Sequence, residues 1–196
     1  MAKKGKTKYV LLGLIADGPK TGYEIKQTIE RSIGYFWQES YGQIYPVLHF
    51  LLKENYITSK SISQKGKPDK IIYSITKSGI RHLEEWLTSS VDIAPHRNEL
   101  LLRVFFGRIS RIPHNISMLE NHIEMCTKLY KTFVDLKKII KENCVIDSGP
   151  IENSTYSMLT LEYGIMSFHM EIEWAKKSIK QLKILNKNIQ EKEKSI

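Results

Sequence analysis

Cysteine is scarce in this chain of 196 residues: Cys126 and Cys144 are too few for a disulfide framework and are not spaced like a zinc site. Buried free thiols are the expectation for both. Apolar runs are short, and none approaches the roughly 20 residues needed to span a bilayer. The opening Met-Ala-Lys-Lys-Gly-Lys-Thr-Lys lacks the apolar stretch of a secretion signal and reads as a short basic arm, so a cytoplasmic protein is expected. The six histidines form neither an H-x-x-x-H nor an H-E-x-x-H pair, and no metal site is expected from them. A P-loop, a G-x-S-x-G elbow and a glycine-rich dinucleotide fingerprint are also missing, which argues against an enzyme and against a cofactor. Acidic residues are outnumbered, 21 against 30 basic, for a net charge of +9. Residues 1–90 carry 14 basic and 8 acidic side chains, the remainder 16 and 13, so the excess lies mainly in the first half. Such a balance favours phosphates through counterion release, on nucleic acid or on an anionic membrane.

What is present is most informative between Trp37 and Leu52. Ser40 and Gln43 make the S-x-x-Q pattern of a capping box, which satisfies two backbone N–H groups at a helix start. Ile44, Val47, Leu48, Leu51 and Leu52 then form one apolar stripe, leaving Tyr41, Gln43, Tyr45 and His49 on the polar face. Pro46 interrupts the pattern, so either the first turn is kinked or the regular helix starts near Gln43. The aromatic run Tyr35, Phe36 and Trp37 before it is expected to pack.

Upstream, Tyr9 to Ile15 is an apolar helix candidate ended by Asp17, Gly18 and Pro19, and Thr21 with Glu24 makes a second capping box ahead of Ile25, Ile29 and Ile33. Downstream, Tyr56–Ser63 and Ile71–Thr76 alternate as strands, joined by a basic tip from Gln64 to Lys70, and a helix with Ile80, Leu83 and Leu87 on one side follows Thr76. Three helices, a two-stranded hairpin and a helix is the order of a winged helix-turn-helix, whose recognition helix enters the DNA major groove.

The segment Tyr9–Trp86 resembles the PadR family of bacterial transcription regulators. The family's G-Y-E-I run stands at Gly22 to Ile25, and its S-x-G-x-I-Y-P-x-L pattern is carried by Ser40, Gly42, Ile44, Tyr45, Pro46 and Leu48. Its wing pattern is carried by Gly66, Pro68, Lys70, Tyr73, Ile75 and Thr76. Asn98 to Gly107 further resembles the start of the C-terminal helical domain of the longer, virulence-activator-like branch. The resemblance implies a mainly α protein with a winged domain over residues 1–90 and a helical dimerisation and effector domain over 91–196. It also implies a small-molecule effector, phenolic or otherwise aromatic, bound between the two. His169, Trp174 and Tyr163 offer groups such a pocket would use, and equally groups that a helix needs for packing and surface.

In the second half, Met158, Leu161, Ile165, Phe168, Ile172, Ala175, Ile179, Leu182, Asn186 and Ile189 recur with spacing 3, 4, 3, 4. That is a heptad seam, expected on one helix of about 30 residues, or about 45 Å. Ile116, Leu119, Ile123, Cys126, Tyr130, Phe133 and Ile140 repeat less regularly, and the loop from Asp147 to Pro150 makes the two an antiparallel pair. They either close on each other or pair with a second chain. The length of the seam favours a homodimer, with Leu161, Ile165, Phe168, Ile172, Ile179 and Leu182 as its interface.

A dimer of this kind reads a pseudo-palindromic operator on double-stranded DNA. The candidate DNA-contacting residues are Tyr23, Ser40, Tyr41, Gln43, Tyr45, His49, Lys65, Lys67 and Lys70, with Gln43 suited to a bidentate contact to adenine and the lysines to phosphates. Tyr73 is expected to pack. The leading expectation is a sequence-specific repressor released by an effector. A nonspecific architectural binder and a protein-interaction adaptor on a winged scaffold are the alternatives.

Overall fold

The structure, a computed structural model, describes residues 5–64, 67–91, 97–143 and 151–193. It divides into two compact units, Met1–Ala94 and Pro95–Ile196.

In the first unit α1 (Thr7–Ala16) is the central helix, with Leu11, Leu12 and Ile15 buried. Gly18 ends it at φ +137°, a backbone that only glycine adopts cheaply. The Thr21–Glu24 capping box opens α2 (Gly22–Arg31) as expected: the Glu24 amide donates to Thr21 Oγ1 at 3.2 Å, and the Thr21 amide donates to Glu24 Oε2 at 2.7 Å. Ile25 and Ile29 on α2 are buried against α1 and α3 (Tyr41–Lys53), where Ile44, Leu48 and Leu51 form the inward stripe. Pro46 lies inside α3 without ending it. Its missing N–H leaves the Gly42 carbonyl without its usual partner, and Gly42 is exposed, so water can serve that oxygen. Trp37 and the buried Glu39 lock the chain just ahead of α3: Glu39 Oε1 accepts from Trp37 Nε1 and from Thr7 Oγ1, each at 2.8 Å.

Asn55, at φ 56°, turns the chain out of α3 into the antiparallel hairpin of β1 (Ile57–Gln64) and β2 (Lys67–Ile75). β2 begins at Lys67 rather than Ile71, so most of the residues expected as a loop are strand. Proline and aspartate read as loop formers, but the register shifts between Ile62 and Gln64, and a bulge there places the extra residue on β2, where a missing N–H is tolerated. Lys20 and Tyr73 exchange backbone hydrogen bonds of 3.0 and 2.9 Å, which tie the base of the hairpin to the turn before α2.

Thr76 caps α4 (Lys77–Leu87), accepting from the Gly79 amide at 3.1 Å. This helix is turned from the expected face. Leu83 packs on the core, but Ile80 and Leu87 are exposed, while Gly79 sits on the Tyr56 carbonyl and His82 and Trp86 join an aromatic stack. In that stack Tyr56 lies 4.5 Å from His82, and Tyr9 lies 4.5 Å from Trp86 and 5.3 Å from His82. Ring area captured this way outweighs the two aliphatic side chains.

The second unit holds α5 (Glu99–Phe105), capped by Asn98, a 3-10 turn (Gly107–Ile109), and the long helices α6 (Ile112–Asn143) and α7 (Ile151–Glu193). α7 runs 43 residues, longer than expected. The loop expected at Asp147–Pro150 lies outside the described residues. Leu119 on α6 and Ala175 and Ile179 on α7 form a buried cluster with Ile116, Ile123, Trp174 and Leu182 around it, and Phe133 meets Phe168 edge to face at 5.3 Å.

This packing gives the expected interface residues partners within the chain. Leu161, Ile172 and Ile179 are buried within one chain, Phe168 and Leu182 pack there too, and Ile165 is half-buried on the same stripe. A heptad pattern specifies a seam but not the partner that fills it. α7 carries a second stripe that the first one hides from view: Tyr156, Leu159, Tyr163, Met166 and Met170, again spaced 3, 4, 3, 4, are exposed by 57–72%.

Candidate nucleic-acid interface

The outward face of α3, the first turn of α2 and the hairpin border one groove, lined by Gly22, Tyr23, Tyr45, Lys70, Ile71 and Tyr73. Tyr45 forms its wall. The ring lies directly over Gly22, so close that a Cβ on that glycine would come within 2.9 Å of a ring carbon. Tyr41, one turn earlier on α3, holds its ring 6.3 Å from that of Tyr45 in a stacked arrangement, and both tyrosines are exposed by 43%. His49 lies exposed further along α3. Tyr23, also exposed, accepts a 2.7 Å hydrogen bond from Gln27 Nε2, which fixes its hydroxyl on the outside of α2.

Gln43 is committed to its cap. Its Oε1 accepts from the Ser40 amide and from Ser40 Oγ, each at 2.9 Å, so the amide oxygen needed for a bidentate contact to adenine is occupied while the Nε2 donors take no part in the cap. Ser40 is held in the same way.

Lys70 bridges the hairpin to α2, its Nζ 3.0 Å from Glu24 Oε1. The Thr21 amide first, then Lys70 and the Thr21 hydroxyl, draw the Glu24 carboxyl down to about 2, well below 4.5. This carboxylate therefore serves the cap and the wing together; the sequence shows the cap, three residues away, but not the second partner, Lys70, 46 residues on. Lys65 lies outside the described residues, and Lys67 opens β2. Tyr73 is buried, as expected; burial, with Tyr45 nearby, raises its phenol further, so the hydroxyl stays protonated.

In the helical unit Cys126 is fully buried, and burial together with Glu171 pushes its thiol up to about 12. A thiol so held is not a reactive thiolate. Cys144 lies outside the described residues.

Two family models match this chain: the transcriptional regulator PadR-like family over residues 11–85, and the virulence activator alpha C-terminal region over residues 96–183. Residues 11–85 form a domain of the PadR-like family of transcriptional regulators. The PadR-type winged domain and the helical region thus account for both compact units. Among curated relatives, the negative transcriptional regulator PadR of Bacillus subtilis is 35% identical over 100 residues, half of this chain and 55% of that protein. The match to a probable transcriptional regulator of Mycobacterium tuberculosis covers 42% of that protein, so the chain spans about half the length of the curated relatives it matches. Solved structures that share the fold include two of one protein. Bacillus subtilis PadR in complex with operator DNA superposes with a TM-score of 0.80 at 22% identity, covering 91% of this chain and 98% of that one. The same protein in complex with p-coumaric acid gives 0.71 at 20% identity, covering 93% and 98%. Members of the PadR family are regulators rather than enzymes. Among the described residues no helix is long and apolar enough to cross a membrane.

Proposed function

We propose that this chain is a PadR-family regulator that binds double-stranded operator DNA in a sequence-specific manner, as a cytoplasmic homodimeric repressor released by a small aromatic effector. The observation that carries the reading is the outward face of α3, a firmly capped helix whose inner stripe is spent on the core and whose Tyr41, Tyr45 and His49 have no packing duty of that kind. Such a face fits the major groove, where hydroxyl and imidazole groups meet base edges and phosphates. Gln43 contributes its Nε2 donors to an acceptor on a base edge while its oxygen keeps the cap, a single-ended contact rather than a bidentate one. Tyr23, whose hydroxyl accepts from Gln27 and keeps its own proton to donate, suits a phosphate oxygen, and Ser40 reaches one when its hydroxyl leaves the cap. The wing lysines Lys65 and Lys67 act as counterion-releasing charges, and Lys70 orients the wing through Glu24.

Dimerisation runs through the exposed stripe of α7 from Tyr156 to Met170, which is too apolar to stay in water and has the heptad spacing of a helix pair. The effector class rests on the p-coumaric acid complex of the Bacillus subtilis protein. The test is fluorescence anisotropy with the duplex upstream of the chain's own gene against a scrambled duplex, at two salt concentrations. The reading expects tight binding to the first, released by p-coumaric acid or a related phenol; salt-sensitive binding that ignores both sequence and phenols would support an architectural DNA binder instead.

A further inference from the structure

His122 and Cys126 lie one turn apart on α6 and face Glu171 on α7. His122 Nε2 is 2.7 Å from Glu171 Oε2, and Cys126 Sγ is 3.4 Å from that nitrogen and 3.6 Å from that oxygen. Each residue brings one donor atom, and all three atoms fall within 4.8 Å of one another. Cys126 is wholly buried, the His122 side chain is 13% exposed and that of Glu171 35%, so the cluster has a closed floor and one side open to solvent.

We propose that His122, Cys126 and Glu171 form a binding site for a thiophilic divalent cation of the Zn2+ type, one per chain, that pins α6 to α7. Around a tetrahedral zinc ion, bonds of about 2.0–2.1 Å to nitrogen and oxygen and about 2.3 Å to sulfur set the donor atoms about 3.3–3.6 Å apart. The two separations that involve sulfur already have this value. Only the His122–Glu171 separation has to open, by about 0.6 Å at the lengths just given, when an ion replaces the proton between them. That motion needs no change of backbone, because the carboxylate is on the exposed side.

The donor set selects the ion. Calcium and magnesium prefer all-oxygen shells, whereas one thiolate, one imidazole and one carboxylate suit zinc, cobalt or nickel. On binding, the Cys126 sulfur forms its bond to the metal as its proton leaves to solvent, and His122 carries its remaining proton on Nδ1. Three protein donors leave one position open for water or an exchangeable ligand. An ion pair between His122 and Glu171 alone explains their contact but not a buried thiol directed at both. The sequence signal is the H-x-x-x-C spacing on α6; the third donor, 49 residues beyond His122, is visible only in the fold.

The experiment is a titration of the metal-free full chain with Co2+. A thiolate-to-cobalt charge-transfer band and visible bands of a tetrahedral set are expected, saturating at one equivalent per chain and bleached by Zn2+. Cys126→Ser should abolish the charge-transfer band, and Glu171→Gln, which keeps a hydrogen bond to His122, should weaken binding at least tenfold, both with helical circular dichroism unchanged. Should Cys126→Ser unfold the helical unit, the Glu171→Gln affinity decides alone. The proposal is overturned if the wild-type chain gives no charge-transfer band at saturating Co2+, if the band survives in Cys126→Ser, or if Glu171→Gln binds as tightly as the wild type. The outcome is independent of whether the chain binds DNA.

Discussion

Tyr45 covers Gly22. The aromatic ring on the outward face of α3 rests against the first residue of α2, where any side chain would meet it at 2.9 Å. The absence of a side chain at residue 22 thus sets the orientation of the tyrosine that faces the groove.

Gly22→Ala should therefore leave stability within about 1 kcal/mol, because alanine favours a helix and the half-exposed ring can swing outward. Operator affinity should fall all the same, as the Tyr45 hydroxyl moves from its place. Thermal unfolding and DNA titration of the same variant separate the two effects, and unchanged affinity would remove Tyr45 from the interface.

Gly79 provides the contrast. A methyl there runs into the Tyr56 carbonyl and the Ile75 side chain, and backbone cannot swing away. Gly79→Ala should cost at least the about 1–3 kcal/mol typical of overpacking, read as a lowered Tm.

Gln43→Glu separates capping from recognition. A carboxylate at this position accepts the same two hydrogen bonds from Ser40 and suits a helix N-terminus. Stability should hold within about 0.5 kcal/mol, while loss of the Nε2 donors and a negative charge facing phosphates should weaken operator binding tenfold or more. An equal loss on operator and random DNA would mean that Gln43 carries no base preference.

Acid should loosen the wing. The Glu24 carboxyl is lowered in the folded state from 4.5 to about 2, so its contribution to stability is complete above about 4.5 and is lost as pH falls through about 2. Because the side chain is 43% exposed, solvent screens the effect and it is small. Glu24→Gln should flatten the stability profile in that window and leave it unaltered at neutral pH in slope; a profile identical to that of the wild type would mean that the cap and the Lys70 bridge do not form in solution.

Much of the winged unit was legible because its signals are local. Thr21 and Glu24, or Ser40 and Gln43, announce a helix start three residues apart, and Ile44, Leu48 and Leu51 declare their face by period alone. What stayed hidden depends on partners distant in sequence. Lys70 looked like a free wing cation until Glu24, 46 residues earlier, was found beside it. The seam from Leu161 to Leu182 shows its period in the sequence but not that α6 packs on it within the chain, and β2 looked shorter because a bulge can absorb a proline that a regular ladder cannot.

The exposed stripe of α7 gives a direct check on assembly. Met166→Arg places a charge at its centre and should yield a monomer by sedimentation with helical content intact, whereas Ile172→Asp, facing α6 within the chain, should unfold the helical unit. A dimer that persists in Met166→Arg would shift the interface elsewhere.

The most direct test of a sequence-reading regulator is selection of bound duplexes from a random pool by the wild-type chain at physiological salt. The account expects enrichment of an inverted repeat whose half-sites lie about one helical turn apart, bound roughly a thousandfold more tightly than the unselected pool. A pool that stays random after repeated rounds, although the protein binds it, would contradict the account.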